Sequence, residues 1–511
     1  MTSGMKYSLA LILAGTATIA VAQSQQPRDP KSFPFKEAAN PSAVIYPQGS
    51  TAQYGEHERG TTDPLFSAQE LLGRPTDSAI TIDAEAVKKL EIYYEYGTKS
   101  GSYIGKTSPV TLSPGEPVNV LIDQLKPNTQ YFYRMRYREP DAPTFSARAE
   151  HSFHTQRAPG STFTFDVEFD PHMMEENNDE AYRLSLRKIL ADHPDFLIDI
   201  GDNFFVDREK PATKAHVLSR VQLLRSYYDI VGNSVPLFLC LGNHEGEWAK
   251  ALDGTPNNVA ILDTLARKKY FPNPDPNGFY TGSNKQEQFV GLRESNYAWQ
   301  WGDALFIVLD PYWNKPVAPE LAGDWWTTLG RDQYEWLKRT LETSHATYKF
   351  IFSHNLIGGL DMKGLMRGGI ETVKYLEMGG YNLDGTWGFD KARPGWAMPI
   401  HQLLVANNAT IYFHGHDHLY AKQDLDGIVY QEGPMPSRRG LFDATASAKT
   451  YNYTHGTVLG GSGYIRVRVS PQDVKVDYVQ TYLPSEEDAK HKDGMVADSY
   501  TIKAQKGSPS R

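Results

Sequence analysis

The sequence predicts a mixed α/β domain, with β-sheets flanked by helices, preceded by a small all-β sandwich. Its 511 residues are too many for one small core. Short β-rich runs separated by Gly, Pro and Asn occupy residues 70–156, whereas apolar strand-like runs alternate with helical patterns over residues 160–482. The segment "RAPGS" at 157–161 separates the two regions and predicts a domain boundary there.

The N-terminus has the features of a secretory signal. Lys6 precedes the apolar stretch "LALILAGTATIAVA", and "AVA" at 20–22 fits a cleavage site, so residues 1–22 are a predicted signal peptide. The stretch is too short and too rich in Thr and Ala to span a membrane, and no later segment has the ~20 apolar residues that a span needs. Residues 23–69, rich in Gln, Pro, Gly and Ser, predict an extended arm. We therefore expect a periplasmic or secreted protein without a membrane span.

Composition narrows the class of protein further. A formal net charge of -9 with no long basic run argues against general nucleic-acid binding. The single cysteine, Cys240, lies in the apolar run "VPLFLCL", which predicts core packing and no intrachain disulfide. An exported protein without disulfides is more typical of a bacterial periplasm than of an animal extracellular space.

The front region is built from alternating sequences. In "YFYRMRYR", Tyr131, Tyr133 and Met135 face one way and the intervening residues face the other, as in a half-buried strand. The segment from "LKPNTQYFYRM" to "HSFHTQ" resembles a fibronectin type III-like domain, similar to the small domain that precedes the catalytic domain of purple acid phosphatases. We interpret residues 70–156 as a scaffold, with binding of substrate or wall polymer as the alternative.

The second region contains helical patterns and ends in a distinct segment. Tyr182, Leu186 and Ile189 have helical spacing, and "DQYEWLKRTLE" repeats that spacing further along the chain. Residues 483–511 are charged and rich in small residues, which predicts a peripheral C-terminal tail.

Five apolar runs of the second region each end in a polar cluster, which is where α/β sheets place their sites. The clusters are Asp170-Pro171-His172, Gly201-Asp202-Asn203, Gly242-Asn243-His244-Glu245, Ser353-His354-Asn355 and His414-Gly415-His416-Asp417-His418. One such cluster alone is more often a capped or solvated turn than a metal site. Together they offer carboxylates, imidazoles and an amide without a thiolate, which suits two divalent or mixed-valence first-row ions such as Fe, Mn, Zn or Co. Two such ions can clamp a displacement at phosphorus.

The ordered set D-x-H, G-D, G-N-H-E, H and G-H-x-H over residues 170–418 resembles the calcineurin-like metallophosphoesterase superfamily. The resemblance implies a β-sandwich flanked by helices, and it implies in-line attack on phosphorus by a hydroxide held between two metal ions. It also implies that His244 protonates the leaving oxygen or stabilises the transition-state charge. The implied metal ligands are Asp170, His172 and His418 for one ion, Asn243, His354 and His416 for the other, and Asp202 for both.

Three positions bear on which branch of the superfamily the chain resembles. Purple acid phosphatases have a tyrosine three residues after the bridging aspartate, where this chain has Phe205, so the resemblance implies no tyrosinate colour. Many relatives read G-N-H-E-x-D, where this chain has Glu247, which either still orients His244 or leaves it without that support. The alkaline phosphatase D type uses a cysteine ligand, and the position of Cys240 within a strand disfavours that branch.

The long segments 246–300 and 355–400 are expected to set the substrate. Arg367 and Arg393 either contact a second anionic group or are solvated loop charges, and Trp387 and Trp396 either stack on a ligand or pack the loop. The leading hypothesis is an exported phosphomonoesterase that acts on a phosphorylated small molecule. The alternatives are a phosphodiesterase acting on nucleotides, phospholipid headgroups or wall polymers, and a catalytically silent binding protein. The sequence leaves the metal identity and the oligomeric state open.

Overall fold

The computed structural model describes residues 63–173, 177–203, 206, 212–315, 323–357 and 367–504. The predicted signal peptide, most of the predicted arm and Phe205 lie outside these residues. Within the described ranges, no helix combines the length and hydropathy that a transmembrane span requires.

The front region is an all-β sandwich of two antiparallel sheets, as the sequence predicts. Its strands are β1 (Leu71–Gly73), β2 (Ile80–Ala84), β3 (Leu90–Gly97), β4 (Gly105–Lys106), β5 (Val110–Leu112), β6 (Val118–Ile122), β7 (Gln130–Arg138) and β8 (Ser146–His154). One sheet has the order β1-β2-β6, and the other has the order β4-β3-β7-β8 with β5 paired to β3. Tyr131, Tyr133 and Met135 of β7 are buried in the shared core, as their alternation predicts. Phe66, within the predicted arm, is buried in the same core, so the front domain begins before residue 70.

The second domain is a sandwich of two larger sheets. The six-stranded sheet has the order β11-β10-β9-β20-β21-β22 and the eight-stranded sheet the order β12-β13-β14-β15-β16-β18-β17-β19. The strands are β9 (Phe163–Glu168), β10 (Leu197–Asp199), β11 (Leu237–Leu239), β12 (Thr281–Gly282), β13 (Tyr297–Trp301), β14 (Ala304–Val308), β15 (Tyr348–Phe352), β16 (Ile411–His414), β17 (Tyr420–Leu425), β18 (Ile428–Glu432), β19 (Thr457–Leu459), β20 (Gly463–Val469), β21 (Asp473–Gln480) and β22 (Val496–Lys503). Phe165 of one sheet contacts Phe306 and Phe350 of the other, with ring centroids 5.0 and 5.4 Å apart.

Helices cover both outer faces of this sandwich, which confirms the predicted fold class. They are α1 (Asp179–Asp192), α2 (Lys214–Tyr228), α3 (Val259–Tyr270), α4 (Gly330–Thr343), α5 (Leu376–Gly379), α6 (Phe389–Ala392), α7 (Ile400–Ala406) and α8 (Thr445–Thr450). Helices α1, α2 and α3 pack on the six-stranded sheet, and α4 and α7 pack on the eight-stranded sheet. The side chain of Asn178 accepts a hydrogen bond from the Ala181 N–H, which caps α1 at its N-terminus.

The prediction of a peripheral tail over residues 483–511 is wrong for Val496–Lys503. These residues form β22, which pairs antiparallel with β21 at the edge of the six-stranded sheet. Tyr500 and Ile502 pack against the core between the sheets. An edge strand exposes one side to solvent, so it needs few apolar residues, and its composition therefore does not distinguish it from a tail.

The two domains share a polar, buried contact. The Leu72 N–H donates to the Gly232 carbonyl at 2.8 Å. Arg225 lies 3.0 Å from Asp229, the residue that follows its helix, and 3.7 Å from Asp83 of the front domain. Burial raises the pKa of Asp83 to about 7, although the Arg225 charge opposes the shift. The junction therefore contains a carboxyl group that titrates near neutral pH.

Candidate metal centre

Strand topology brings the five predicted clusters together. Strands β9, β10 and β11 are parallel neighbours in one sheet, and β15 and β16 are parallel neighbours in the other. The clusters follow the carboxyl ends of these strands, and the two sheets face each other across the aromatic core. Residues from both sheets therefore meet at one edge of the sandwich.

Backbone hydrogen bonds hold the loops of this edge in register. The Asp170 N–H donates to the Gly201 carbonyl at 3.2 Å, and the His172 N–H donates to the Asp202 carbonyl at 3.0 Å. The buried Glu245 carboxylate accepts from the N–H groups of Gly242, Asp202 and Asn203 at 2.8, 3.2 and 2.7 Å. One side chain thereby ties the loop after β11 to the loop after β10.

Two glycines permit the close approach of these loops. A Cβ on Gly242 would lie 2.2 Å from the Asp202 nitrogen, and a Cβ on Gly415 would lie 2.2 Å from Asp170 Oδ2. Without a side chain at 415, the His416 N–H donates to Asp170 Oδ2 at 2.8 Å. The glycines of the G-N-H-E and G-H-x-H motifs are therefore required by packing between loops.

The backbone is strained at five of the seven predicted ligands. Positive φ angles of 47 to 81° occur at Asp170, His172, Asp202, His416 and His418. Such conformations cost roughly 1–2 kcal/mol for residues other than glycine, although Asp and His adopt them more readily than most. The surrounding fold must compensate for this cost, as it does at functional sites in general.

The predicted ligands form two adjoining clusters, with Asp202 at their junction. Asp170, His172 and His418 make one cluster, and Asp202, His354 and His416 make the other. Asp202 Oδ2 lies 3.1 Å from His354 Nε2 and 4.0 Å from His416 Nδ1 in its own cluster. The same oxygen lies 3.5 Å from His172 Nε2 in the other cluster. Asn243 completes the second cluster, since its Oδ1 lies 3.1 Å from His354 Nε2.

The donor set fits two cations. Metal bonds of about 2.0–2.2 Å to nitrogen and oxygen put the ligand atoms of one ion roughly 3–3.5 Å apart. In the first cluster, the imidazole nitrogens of His172 and His418 each lie 3.6 Å from Asp170 Oδ1. In the second cluster, His354 Nε2 lies 3.1 Å from His416 Nδ1. The inner oxygens Asp170 Oδ1 and Asp202 Oδ2 are buried and accept no hydrogen bond, which is the environment that a cation would satisfy.

Protonation states at three of the predicted ligands suit metal binding. Burial holds the pKa of His416 and of His418 well below the usual range, assisted by the charges of Arg367 and His172 respectively. Burial opposes the ionised form of Asp202, but the charge of His354 outweighs it and the pKa is well below its usual value. His354 differs, because the charges of Asp202 and Asp170 outweigh the effect of burial and raise its pKa to about 9. A cation that binds at His354 would therefore displace a proton from the ring.

A backbone carbonyl fixes the orientation of the His354 ring on the side away from the predicted ligands. Its Nδ1 lies 3.1 Å from the Ile200 carbonyl, which only accepts hydrogen bonds, so Nδ1 carries the proton. The other nitrogen, Nε2, faces Asp202 and Asn243, and it would offer its lone pair to a cation that displaces its proton. Such a backbone contact is typical of histidines that bind metals.

His244 lies beside the two clusters and is partly open to solvent. Its N–H donates to Asp202 Oδ1 at 2.8 Å, and its Nε2 lies 4.0 Å from Asp202 Oδ2 with 12% of the side chain exposed. Glu247 does not point towards this ring. It is buried and contacts Thr264, Arg267 and Arg293 at 2.6, 2.6 and 3.0 Å. Of the two readings of Glu247, the contacts favour a structural role over support of His244.

The remaining residues of the last motif stabilise the loop. His414 belongs to neither cluster, and its Nδ1 lies 2.5 Å from Glu432 Oε2. Asp417 is buried and accepts hydrogen bonds from the Gly368 N–H at 2.7 Å and the Tyr453 hydroxyl at 2.8 Å. Arg367 also contacts Asp417, at 3.2 Å. The aspartate therefore ties the metal-site loop to two remote segments of the chain, at residues 367–368 and at Tyr453.

Of the other candidates from the sequence, all but Trp387 pack into the interior of the domain. Arg393 is neither a solvated charge nor a ligand contact, because it is buried in an ion pair with Glu377. Trp396 stacks on Tyr334 with ring centroids 4.0 Å apart, whereas Trp387 is 45% exposed. Cys240 is buried between the sheets, and its Sγ lies 3.7 Å from the Leu309 carbonyl oxygen.

Sequence reasoning missed Arg438, which lies in the loop after β18. Its Nη2 is 3.4 Å from Nδ1 of His418. Burial lowers the pKa of Arg438 to about 10, so the guanidinium remains charged at neutral pH. Only its position could have indicated that Arg438 lies near the metal centre. Strand β18 is a parallel neighbour of β16, so the carboxyl ends of both strands lie at the same edge of the sheet.

Comparison with known proteins agrees with the geometry. Residues 170–420 match the family model described as calcineurin-like phosphoesterase. The fold is similar to that of PhoD, with a TM-score of 0.63 and 16% identity, covering 87% of this chain and 91% of that chain. It is also similar to purple acid phosphatase PPD1 from yellow lupin (Lupinus luteus) seeds, with a TM-score of 0.56 and 17% identity, covering 86% and 75% of the two chains. No protein of curated function matches.

At these identities the two structural similarities concern the fold alone. The family match covers the segment that contains all five clusters. Residues 170–420 are a calcineurin-like phosphoesterase domain, and the protein is a metal-dependent phosphoesterase.

Proposed function

We propose that this protein is an exported phosphomonoesterase with two metal ions. The observation that carries the proposal is the position of Asp202 Oδ2, within 4.0 Å of imidazole nitrogens from both clusters. A single carboxylate oxygen between two cation-binding clusters is the arrangement that a dinuclear centre requires.

The charge of the ligand set favours monoesters. Two carboxylates, an amide and four neutral imidazoles leave two divalent ions with a net charge of about +2. A phosphate monoester is a dianion near neutral pH, whereas a diester is a monoanion. The proposed ligands are Asp170, His172 and His418 for one ion, Asn243, His354 and His416 for the other, and Asp202 for both.

The ions, when bound, supply Lewis acidity that activates water and neutralises charge at phosphorus. The protein's own part is to orient the substrate and move a proton. His244 lies beside Asp202 with its ring accessible, so it is placed to protonate the leaving oxygen or to stabilise the negative charge that develops there. Its N–H contact with Asp202 Oδ1 fixes the backbone from which the ring extends.

Export is supported by residues 1–22, where a basic residue, an apolar stretch and a small-x-small site follow one another. The first-row ions Fe, Mn, Zn and Co suit the nitrogen and oxygen donors. Mass spectrometry of the protein from the native host tests the cleavage site after Ala22. Retention of residues 1–22 in the mature protein would contradict export by this route.

Metal analysis and two chromogenic substrates test the activity. The mature protein should contain about two metal ions and hydrolyse 4-nitrophenyl phosphate faster than bis(4-nitrophenyl) phosphate. Asp202→Ala should remove both the metals and the activity, because it deletes the oxygen between the clusters. Asp77→Ala, at an exposed position of the front domain, is the matched control and should behave as wild type. A faster diesterase reaction would refute the monoester assignment.

A further inference from the structure

The indole of Trp248 is hydrogen-bonded to the backbone of a predicted metal ligand. Its Nε1–H donates to the carbonyl oxygen of Asn243 at 2.5 Å. Both residues are buried, so the bond forms away from competing water. The side-chain Oδ1 of Asn243 lies 3.1 Å from His354 Nε2 in the second cluster. The indole therefore contacts the residue that supplies the amide ligand of that cluster, without being a candidate ligand itself.

The peptide group between Asn243 and His244 is held at both ends. Its carbonyl accepts the hydrogen bond from Trp248, and its N–H, which belongs to His244, donates to Asp202 Oδ1 at 2.8 Å. A planar peptide group whose carbonyl and N–H are both bound has little freedom to rotate. The indole bond therefore fixes the plane from which the Asn243 side chain extends towards the second cluster.

Packing holds the indole itself in place. Its ring centroid lies 4.8 Å from that of Tyr312, and the Lys250 Nζ lies 3.8 Å from the indole centroid. The Tyr312 hydroxyl donates to Oδ1 of Asn355, the residue that follows the predicted ligand His354. A side chain that is fixed by such packing is a rigid support for the ligand that it contacts.

We propose that Trp248 is a positioning residue of the metal centre, whose indole N–H orients Asn243 and thereby raises the affinity of the second cluster for its cation. Groups that support metal ligands from outside typically contribute about 10–100-fold in metal affinity. The first cluster takes its own ligands from other loops, at Asp170, His172 and His418, so it should depend less on this bond. The inference rests on the two-metal centre of the proposed function and adds a residue that supports one of the two ions.

Trp248→Phe is the primary test, because it removes the N–H and keeps an aromatic ring. Trp301→Phe is the matched control: the Trp301 indole is also buried and donates to Asp195 Oδ2 at 2.8 Å. Asp195 precedes β10, so this bond lies at the end of the strand opposite the metal edge.

Calorimetric titration of the metal-free proteins with Zn²⁺ should give two affinities for wild type and the same two for Trp301→Phe. In Trp248→Phe, one affinity should fall about ten-fold or more and the other less than about three-fold. A role in stability alone would not act on one site selectively. Equal losses at both sites, or two affinities equal to those of wild type, would overturn the inference.

Hydrogen exchange of the indole N–H groups in wild type, followed by NMR, tests the same coupling if Trp248→Phe does not fold. If the indole bond favours metal binding, metal binding must stabilise the indole bond by the same factor, because such coupling is reciprocal. Saturation with Zn²⁺ should therefore slow exchange at Trp248 about ten-fold more than at Trp301. Equal slowing at the two indoles would contradict the role of Trp248.

The zinc titrations do not depend on catalysis, which separates this inference from the proposed function. If wild type binds two Zn²⁺ ions and Trp248→Phe shows the expected loss, but wild type cleaves no monoester, the proposed function fails and the role of Trp248 stands. If wild type is an active phosphomonoesterase and Trp248→Phe binds both ions as tightly as wild type, the role of Trp248 fails and the proposed function stands.

Discussion

Substitution of Glu247 tests whether the carboxylate that follows the G-N-H-E motif has a structural or a catalytic role. Its side chain is 1% exposed and lies 2.6 Å from Arg267 Nε and 3.0 Å from Arg293 Nη2. Glu247→Gln leaves Arg267 without its carboxylate, whereas Arg293 keeps Asp310 at 2.7 Å. Breaking a buried ion pair lowers the free energy of unfolding by about 3–5 kcal/mol. Because Arg293 keeps Asp310 as a partner, we expect a loss near the lower end of this range, about 3 kcal/mol. That loss corresponds to a fall in melting temperature on the order of 5 °C.

The assay compares thermal unfolding with kcat at 20 °C for the metal-loaded protein. Because Glu247 points away from His244, kcat should stay within about two-fold of wild type. Glu342→Gln removes an exposed carboxylate paired with Lys338 at 2.8 Å, and this control should cost at most about 0.5 kcal/mol. A ten-fold fall in kcat with an unchanged melting temperature would refute the reasoning and show that Glu247 supports His244.

The sign of the pH dependence gives a second check on Glu247. Burial favours the neutral acid, but the charges of Arg267 and Arg293 outweigh it and hold the pKa below the ordinary value of 4.5. The carboxylate therefore contributes stability above pH 4.5, and this contribution is lost as the pH falls through the lower folded-state pKa. The difference in melting temperature between wild type and Glu247→Gln should shrink in that acidic range.

Three further predictions concern the metals and the domain junction. Chelation should lower the melting temperature by several degrees and re-addition of metal should restore it, because the ligands join two sheets; a calorimetric scan that is unchanged by chelator would contradict this. The iron-loaded protein should lack a tyrosinate charge-transfer band, because Phe205 has no oxygen; a purple wild type in the visible spectrum would mean that the ligand set is wrong. The pKa of Asp83 is raised from 3.8 to about 7, so wild type should lose stability relative to Asp83→Asn as the pH rises between these two values. A difference in unfolding midpoint between the two proteins that is independent of pH would exclude this role.

The fold and the positions of the metal cluster residues were predictable because both depend on strand ends. Apolar runs followed by Asp, Asn and His mark the carboxyl edge of parallel strands, and the order of the clusters identifies the superfamily. The backbone conformation was not predictable from the same pattern. The positive φ at Asp170 and Asp202 arises from contacts between loops that lie far apart in the sequence.

The errors share a physical origin. Neither alternative for Arg393, contact with an anionic group or exposure to solvent, is correct, because it is buried against Glu377, a partner 16 residues away in the sequence. Residues 496–503 resembled a tail because an edge strand needs few apolar side chains. Arg438 carries no motif of its own, and only the sheet order places it at the metal edge.

The arrival of ligands from two sheets bears on the order of events during folding. Asp170 and His418 are separated by almost half of the chain, and their contact forms only when β9 and β16 have taken their places in opposite sheets. Closing such a long loop is slow compared with local helix formation. Metal capture is therefore a late step, and the rate at which a fluorescent metal indicator is depleted during refolding would time the closure of the sandwich.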